Sequence, residues 1–173
     1  MILTIDVGNT HTIIGVYDND KLVFTARIST DRQKTRDEYS IIIRSVLSLS
    51  DKVSENIEGA IISSVVPQVS GLLVDAIKRL YNCKVFVVGP GVKTGLNIKI
   101  DNPAQLGADL VCVSVAALKK YPLPSIVFDL GTATTISALT ENGDMIGGSI
   151  LTGVNTAFNA LAQGTAQLPQ ISL

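Results

Sequence analysis

A short stretch near the start of the chain returns, changed but recognisable, in its second half. Ile5-Asp6-Val7-Gly8-Asn9-Thr10-His11-Thr12-Ile13 aligns without gaps on Phe128-Asp129-Leu130-Gly131-Thr132-Ala133-Thr134-Thr135-Ile136. The same offset, Asp6 to Asp129, carries the turn Asp18-Asn19 onto Glu141-Asn142, so Thr12 falls on Thr135 and two hairpin turns coincide. Each copy reads as strand, Asp-x-Gly loop, strand, turn, strand. A chain that repeats such a unit is held to a narrow set of two-part α/β architectures.

The intervening pattern fills in the rest. Met1–Asp6, His11–Tyr17 and Lys21–Ile28 predict a three-strand meander, followed by a helix marked by Tyr39, Ile42, Ile43, Val46 and Leu47, with Ser29-Thr30-Asp31 as its cap. The apolar run Gly59–Val66 predicts a buried strand stopped by Pro67. An amphipathic helix follows through Val69, Leu73, Ala76, Ile77 and Leu80, then a strand over Lys84–Val88. Asn102-Pro103 predicts a helix start, with Asn as cap and Pro at the first helical position, running to about Tyr121. The second meander takes Ser125–Asp129, Thr134–Leu139 and Met145–Leu151, with Asn142-Gly143 as a hairpin signal, and a last helix spans Gly153 to about Gly164. The expected domains are 1–122, which includes the Asn102 helix as a pivot, and 123–173.

Charge and composition exclude several functions. Fourteen Lys and Arg against fifteen Asp and Glu give a net charge of −1, which offers no polybasic surface for nucleic acid. At 46% hydrophobic residues the chain can bury a core, yet it has no apolar run long enough to span a membrane. The N-terminus has no basic segment ahead of its apolar run and meets Asp6 at once, unlike a secretory signal. Two cysteines and one histidine supply neither a disulfide framework nor a structural zinc site. These features together predict a soluble, cytoplasmic protein.

The duplicated loop predicts phosphate chemistry. Gly8 and Gly131 allow a tight turn without a side chain in the way. Backbone N–H groups and the hydroxyls of Thr10, Thr12, Thr132, Thr134 and Thr135 are suited to phosphate oxygens. Asp6 and Asp129 would repel phosphate directly, so each makes sense only through a cation or its water shell. Two such loops facing each other would form a cleft for a polyphosphate. Taken singly, Asp-x-Gly is an ordinary turn, and only the repetition raises it to a nucleotide site. His11, Cys83, Cys112 and Lys119-Lys120 read as packing or solvated residues.

Asp6-Val7-Gly8-Asn9-Thr10 and Asp129-Leu130-Gly131-Thr132-Ala133-Thr134-Thr135 resemble the two phosphate motifs of the actin/Hsp70/sugar-kinase superfamily, and more narrowly those of the type III pantothenate kinases. Three further stretches are similar to that family in the same order: Ile62–Pro67, Asn102–Asp109, and Gly147-Gly148-Ser149-Ile150 with Gly153, the last from a segment the family places at a dimer interface. The resemblance implies a duplicated ribonuclease-H-like (actin-like ATPase) α/β fold with ATP between the halves, and transfer of phosphate from ATP to pantothenate in the first step of coenzyme A synthesis. It implies ATP contacts at Asp6, Val7, Gly8, Asn9, Thr10, His11, Thr12, Ile13 and Thr132. A monovalent cation, potassium or ammonium, is implied at Asp129, with Mg2+ a further candidate. Pantothenate contacts are implied at Ile100, Gly107, Ala108, Asp109 and Leu110, with Asp109 as general base. Asp109 would also suit a helix start on dipole grounds alone. A homodimer without nucleic-acid or membrane partners is expected.

The sequence departs from the family pattern at four points. Leu110 stands where the motif has Arg, Ile100 where an aromatic is usual, and Thr152 where Pro is usual. Leu110 offers no bidentate donor to the substrate, so weakened pantothenate binding is expected. The second copy has its meander and one helix only, which predicts an open sheet edge and a half-covered apolar face. The competing expectation is a catalytically weakened, nucleotide-binding relative with a regulatory role as a transcription accessory factor. A kinase for another small hydroxylated substrate is a third.

Overall fold

The computed structural model describes residues 1–165 apart from 52, 54 and 55, together with 167 and 169. Two compact units, Met1–Val92 and Lys93–Leu173, divide the chain.

The first unit opens with the expected meander: β1 (Ile2–Val7), β2 (His11–Asp18) and β3 (Lys21–Ser29). It continues through α1 (Arg36–Leu47), β4 (Gly59–Ser64), α2 (Pro67–Tyr81) and β5 (Lys84–Val87). The sheet order is β3-β2-β1-β4-β5, with β4 and β5 parallel to β1. Alternate residues Leu3, Ile5 and Val7 of β1, with Ile14, Val16, Ala60 and Ile62, meet Tyr39, Ile43 and Leu47 of α1 and Val69, Leu73, Ala76 and Ile77 of α2 in one buried core. Each fully buried aliphatic side chain there contributes about 1.5–3 kcal/mol. Helix α1 starts later than the Ser29-Thr30-Asp31 cap expected from sequence. Its N-cap is Thr35, which forms a reciprocal capping box with Glu38. Thr30 and Asp31 instead bond Thr10, Thr12 and Tyr39. Pro67 opens α2, where its missing N–H costs nothing.

The second unit contains β6 (Asn97–Ile98), α3 (Ala108–Lys120), β7 (Ser125–Leu130), β8 (Ala133–Leu139), β9 (Asp144–Thr152) and α4 (Val154–Gly164). Its sheet order is β6-β9-β8-β7. Strand β6 had no counterpart in the sequence reading; it pairs parallel to β9 through Asn97–Asp144 and Ile98–Met145. The expected helix from Asn102 is in fact two pieces. Pro103–Gln105 form a single 3-10 turn, and α3 begins only after Gly107, with no cap from the Asn102 side chain. The helix packs Ser114 and Ala117 onto Leu139 and Met145 of its own unit. The compact-unit boundary precedes this helix.

The duplication is real in three dimensions, with one revision to the gap-free alignment. In the first copy Val7 pairs with Thr12 and Asp6 with Ile13; in the second, Leu130 pairs with Thr134 and Asp129 with Thr135. The second Asp-x-Gly loop is one residue shorter. The second turn restores the count: Asn19-Asp20 join β2 to β3, while Thr140 N–H bonds the Asp144 carbonyl across Glu141-Asn142-Gly143. A β-bulge even recurs at matching places, Val16/Tyr17 and Ala138/Leu139. The structural counterpart of Thr12 is therefore Thr134, not Thr135. The extra turn residue is the one that needs a left-handed backbone, Gly143 at φ +80°.

Among the described residues β7 has no partner on its outer edge, the side where β4 pairs with β1 in the first copy. Ile126, Phe128 and Leu130 of β7 are exposed. Strand β7 thus has an open edge and an exposed apolar face among the described residues. No helix among the described residues is long and apolar enough to cross a membrane.

Candidate active site

The first loop links β1 to β2 over Gly8–His11, closed by a bond from Gly8 N–H to the His11 carbonyl at 3.0 Å. A Cβ on Gly8 would lie 3.1 Å from that carbonyl, so the tight return favours glycine. The loop exposes Asp6, Asn9, Thr10 and His11, while Gly8 is partly covered. Val7 and Thr12 are buried in the core, which leaves only their backbone for a ligand. Thr12 Oγ1 lies 2.8 Å from Thr30 Oγ1, and Thr30 N–H donates to the Thr10 carbonyl at 3.0 Å. These bonds pin the segment after β3 beside the loop. Arg32, a residue that sequence reasoning passed over, donates from Nη2 to Asn9 Oδ1 at 2.9 Å. On the other side, Ser63 of β4 stands opposite Asp6, and its hydroxyl is buried without a hydrogen-bond partner.

The second loop repeats this arrangement in shorter form, with Gly131 N–H bonded to the Ala133 carbonyl at 3.0 Å. Thr132 is exposed. Across from Asp129 stands Thr135, whose Oγ1 is likewise buried and unpartnered. Each loop aspartate is thus exposed beside a buried, unsatisfied hydroxyl, a costly arrangement unless a ligand or water completes it. Gly153, just ahead of α4, packs against this loop. A Cβ there would clash with the Gly131 and Thr132 carbonyl oxygens. Thr156 Oγ1 donates to the Thr132 carbonyl at 3.1 Å, which fixes the start of α4 to the loop. The approach was hidden in the sequence because Gly153 and Gly131 are remote in the chain.

Asp109 lies in the first turn of α3, partly buried, and its Oδ1 accepts the Leu110 N–H at 2.8 Å. Oδ2 carries no hydrogen bond among the described residues. Gly107 caps the helix, so Gly107, Ala108, Asp109 and Leu110 form one tight group, each partly buried. Ile100, also partly buried, follows β6. The strand ahead of it is fastened by Asp144, which accepts from Asn97 Nδ2 and Lys99 Nζ, both at 2.6 Å. Those two donors hold the Asp144 carboxyl below the usual carboxylate range, Lys99 most strongly.

Oxygen donors at Asp129 suit a hard cation. The carboxylate, the unpartnered Thr135 hydroxyl and the loop carbonyls offer oxygen only, with no soft ligand among them. No group of three or more His, Cys, Asp or Glu that could hold a metal ion occurs among the described residues. A separate groove of about 610 Å³ lies at the far ends of α1 and α2, lined by Arg44, Asp51 and Tyr81 among others. It carries none of the residues above.

A duplicated Asp-x-Gly hairpin, one copy in each of two mixed α/β units, defines the actin-like ATPase and sugar-kinase fold. Solved structures agree. An ethanolamine utilization protein from Carboxydothermus hydrogenoformans aligns over 94% of this chain and 56% of its own, at 15% identity and a TM-score of 0.55. The activator of 2-hydroxyisocaproyl-CoA dehydratase from Clostridium difficile, solved with bound ADPNP, aligns over 94% of this chain and 51% of its own, at 13% identity and a TM-score of 0.54. At such identities these show the fold alone. The family profile described as type III pantothenate kinase matches residues 2–173. A type III pantothenate kinase from an Exiguobacterium strain is 47% identical over all of this chain and 68% of its own length. The chain belongs to the type III pantothenate kinase family. That membership carries an enzyme class, kinases that use ATP and act on pantothenate in coenzyme A biosynthesis. The chain spans about two thirds of that relative and about half of the two solved structures.

Proposed function

We propose that the chain transfers the γ-phosphoryl group of ATP to the hydroxyl of pantothenate, giving ADP and 4′-phosphopantothenate. The family match across residues 2–173, which includes both loops and Asp109, carries this reading. The hydroxyl oxygen attacks the γ-phosphorus, the bond to the bridging oxygen of ADP breaks, and the hydroxyl proton passes to Asp109. Its unoccupied Oδ2 suits a general base. Asp6, Gly8, Asn9, Thr10, His11 and Ile13 line the ATP phosphates, Val7 and Thr12 through backbone only, and Thr132 takes a further nucleotide contact. A monovalent cation held at Asp129 would screen the carboxylate from phosphate charge, and Mg2+ would travel with the triphosphate. Most of the rate enhancement would come from positioning and charge stabilisation.

Pantothenate is bounded by Ile100, Gly107, Ala108, Asp109 and Leu110. Leu110 leaves the substrate carboxylate without a guanidinium partner, so a raised KM is expected rather than a changed reaction. No observation favours the regulatory reading. Exposed Ile146, Ile150 and Leu151 on β9 support a homodimer through the Gly147–Gly153 stretch, a matter for analytical ultracentrifugation. Cytoplasmic location fits a kinase that depends on ATP.

The test is ATP-dependent formation of 4′-phosphopantothenate with potassium present. Asp109→Asn should lower kcat by about 10²–10⁴-fold while ATP affinity holds. Equal rates for Asp109→Asn and the parent chain would remove Asp109 from the base role. No phosphorylated product under any cation would refute the kinase reading.

A further inference from the structure

We infer that Arg32 is a ligand of the terminal phosphate of ATP, an inference that rests on the nucleotide reading of the first loop. The segment leaving β3 is held rigidly beside that loop. Thr30 bonds Thr10 and Thr12, and the buried Tyr39 hydroxyl donates to the Asp31 carbonyl at 2.7 Å while accepting the Asp31 N–H at 3.3 Å. Asp31 Oδ1 accepts the Gln33 N–H at 2.9 Å, which closes the turn around Arg32. The guanidinium is thereby carried to the loop tip, where Asn9 Oδ1 takes one of its donors.

Charge distinguishes Arg32 from its neighbours. Lys34 is neutralised by Asp31 at 2.7 Å, and Arg36 by Asp37 at 3.0 Å. No carboxylate lies within ion-pair distance of Arg32 among the described residues; its one bond is to a neutral amide. A full positive charge with spare donors in a planar fork therefore sits, uncompensated and exposed, against the loop that is to hold phosphate. Guanidinium forks bind phosphate oxygens bidentately. The Asp6 carboxylate at the base of the loop would repel the same phosphates, and the Arg32 charge would offset part of that repulsion. Asn9 is then the bracket that aims the guanidinium, and the loop tip is ordered before the nucleotide arrives.

Calorimetric titration of ATP, ADP and inorganic tripolyphosphate, with Mg2+ and potassium present, tests this on the full chain and on Arg32→Gln, Arg32→Ala and Arg32→Lys. Gln is polar but uncharged and Lys keeps the charge without the fork, so the pair of variants separates a phosphate role from support of the loop. The expected result is a Kd for ATP and tripolyphosphate raised about tenfold to a hundredfold in Arg32→Gln and Arg32→Ala, a smaller change for ADP, and partial rescue in Arg32→Lys. The parent's salt dependence should flatten in the uncharged variants. Unchanged ATP affinity in Arg32→Gln, or equal losses for ATP and ADP, would overturn the assignment while leaving the loop a nucleotide site. Should the parent chain bind neither ATP nor tripolyphosphate, the nucleotide reading itself fails and this one with it.

Discussion

Replacing Gly153 by alanine tests whether the second loop is built by close packing of α4. The backbone at Gly153, φ −64° and ψ 153°, is one any residue adopts, so conformational strain plays no part. What forbids a methyl group is space. The new Cβ would clash with both the Gly131 and Thr132 carbonyl oxygens and lie 2.7 Å from the Thr132 carbonyl carbon. All three are backbone atoms, which move only if the loop or the helix start moves. Overpacking of this kind costs about 1–3 kcal/mol. Displacing α4 also breaks the 3.1 Å bond from Thr156 to Thr132, a further loss of about 0.5–1.5 kcal/mol. The expected destabilisation is therefore about 1–4.5 kcal/mol, the upper end being the full sum of the two losses. Gly89→Ala is the control, since nothing lies within 4 Å of its Cβ position and its effect should stay within about 0.5 kcal/mol. Urea unfolding followed by circular dichroism on both variants measures the difference. If Gly153→Ala lies within about 0.5 kcal/mol of Gly89→Ala, the packing argument is wrong.

Other substitutions probe the first unit and the acid limb of stability. Thr35→Ala removes the capping box of α1 and should cost about 0.5–2 kcal/mol by urea titration, and an unchanged midpoint would deny the cap any stabilising role. Thr12→Val keeps the buried volume but deletes the hydroxyl facing Thr30; a loss of about 0.5–1.5 kcal/mol is expected, and faster amide exchange at Thr30 should accompany it. Asp144, Asp31 and Glu38 are all held below their ordinary values, by Lys99 and Asn97, by Lys34 and Gln33, and by Thr35 respectively. A depressed carboxylate stabilises the fold above its unfolded pKa and loses that contribution as pH falls through the folded one. Stability should accordingly decline as pH drops below about 4, and Asp144→Asn should flatten that decline; identical pH profiles would exclude Asp144 from it.

Much of the fold is legible along the chain because its signals are local. The Asp-x-Gly repeat, the Asn142-Gly143 turn, Pro67 at the start of α2 and the apolar spacing of Tyr39, Ile43 and Leu47 each depend on residues a few positions apart. Where sequence reading missed, the deciding partner was remote or the competing signals were close in strength. Ser29-Thr30-Asp31 has the composition of a cap, yet Thr35 won because Glu38 could complete the reciprocal pair. Asn102-Pro103 has the form of a helix start, yet it opens only one 3-10 turn before the chain restarts at Gly107. Residues Asn97–Ile98 have no strand signal of their own and become a strand only because β9 offers an edge.

The residues of the candidate site divide the same way. Asp6, Gly8, Asp129 and Gly131 could be nominated from the repeat, since a glycine beside an acid at a strand end is a local chemical statement made twice, whereas Asp109 could be nominated only through the family resemblance. Which threonine matches Thr12 could not, because a deletion in one loop and an insertion in the next turn cancel along the sequence and show only in strand register. The burial of Val7 and Thr12, the seat of Gly153 on the second loop and the path of Arg32 to Asn9 were likewise decided by the tertiary structure. The physical reason is that backbone preference and hydrophobic period are written residue by residue, whereas pairing, close approach and charge balance exist only after distant segments have been brought into contact.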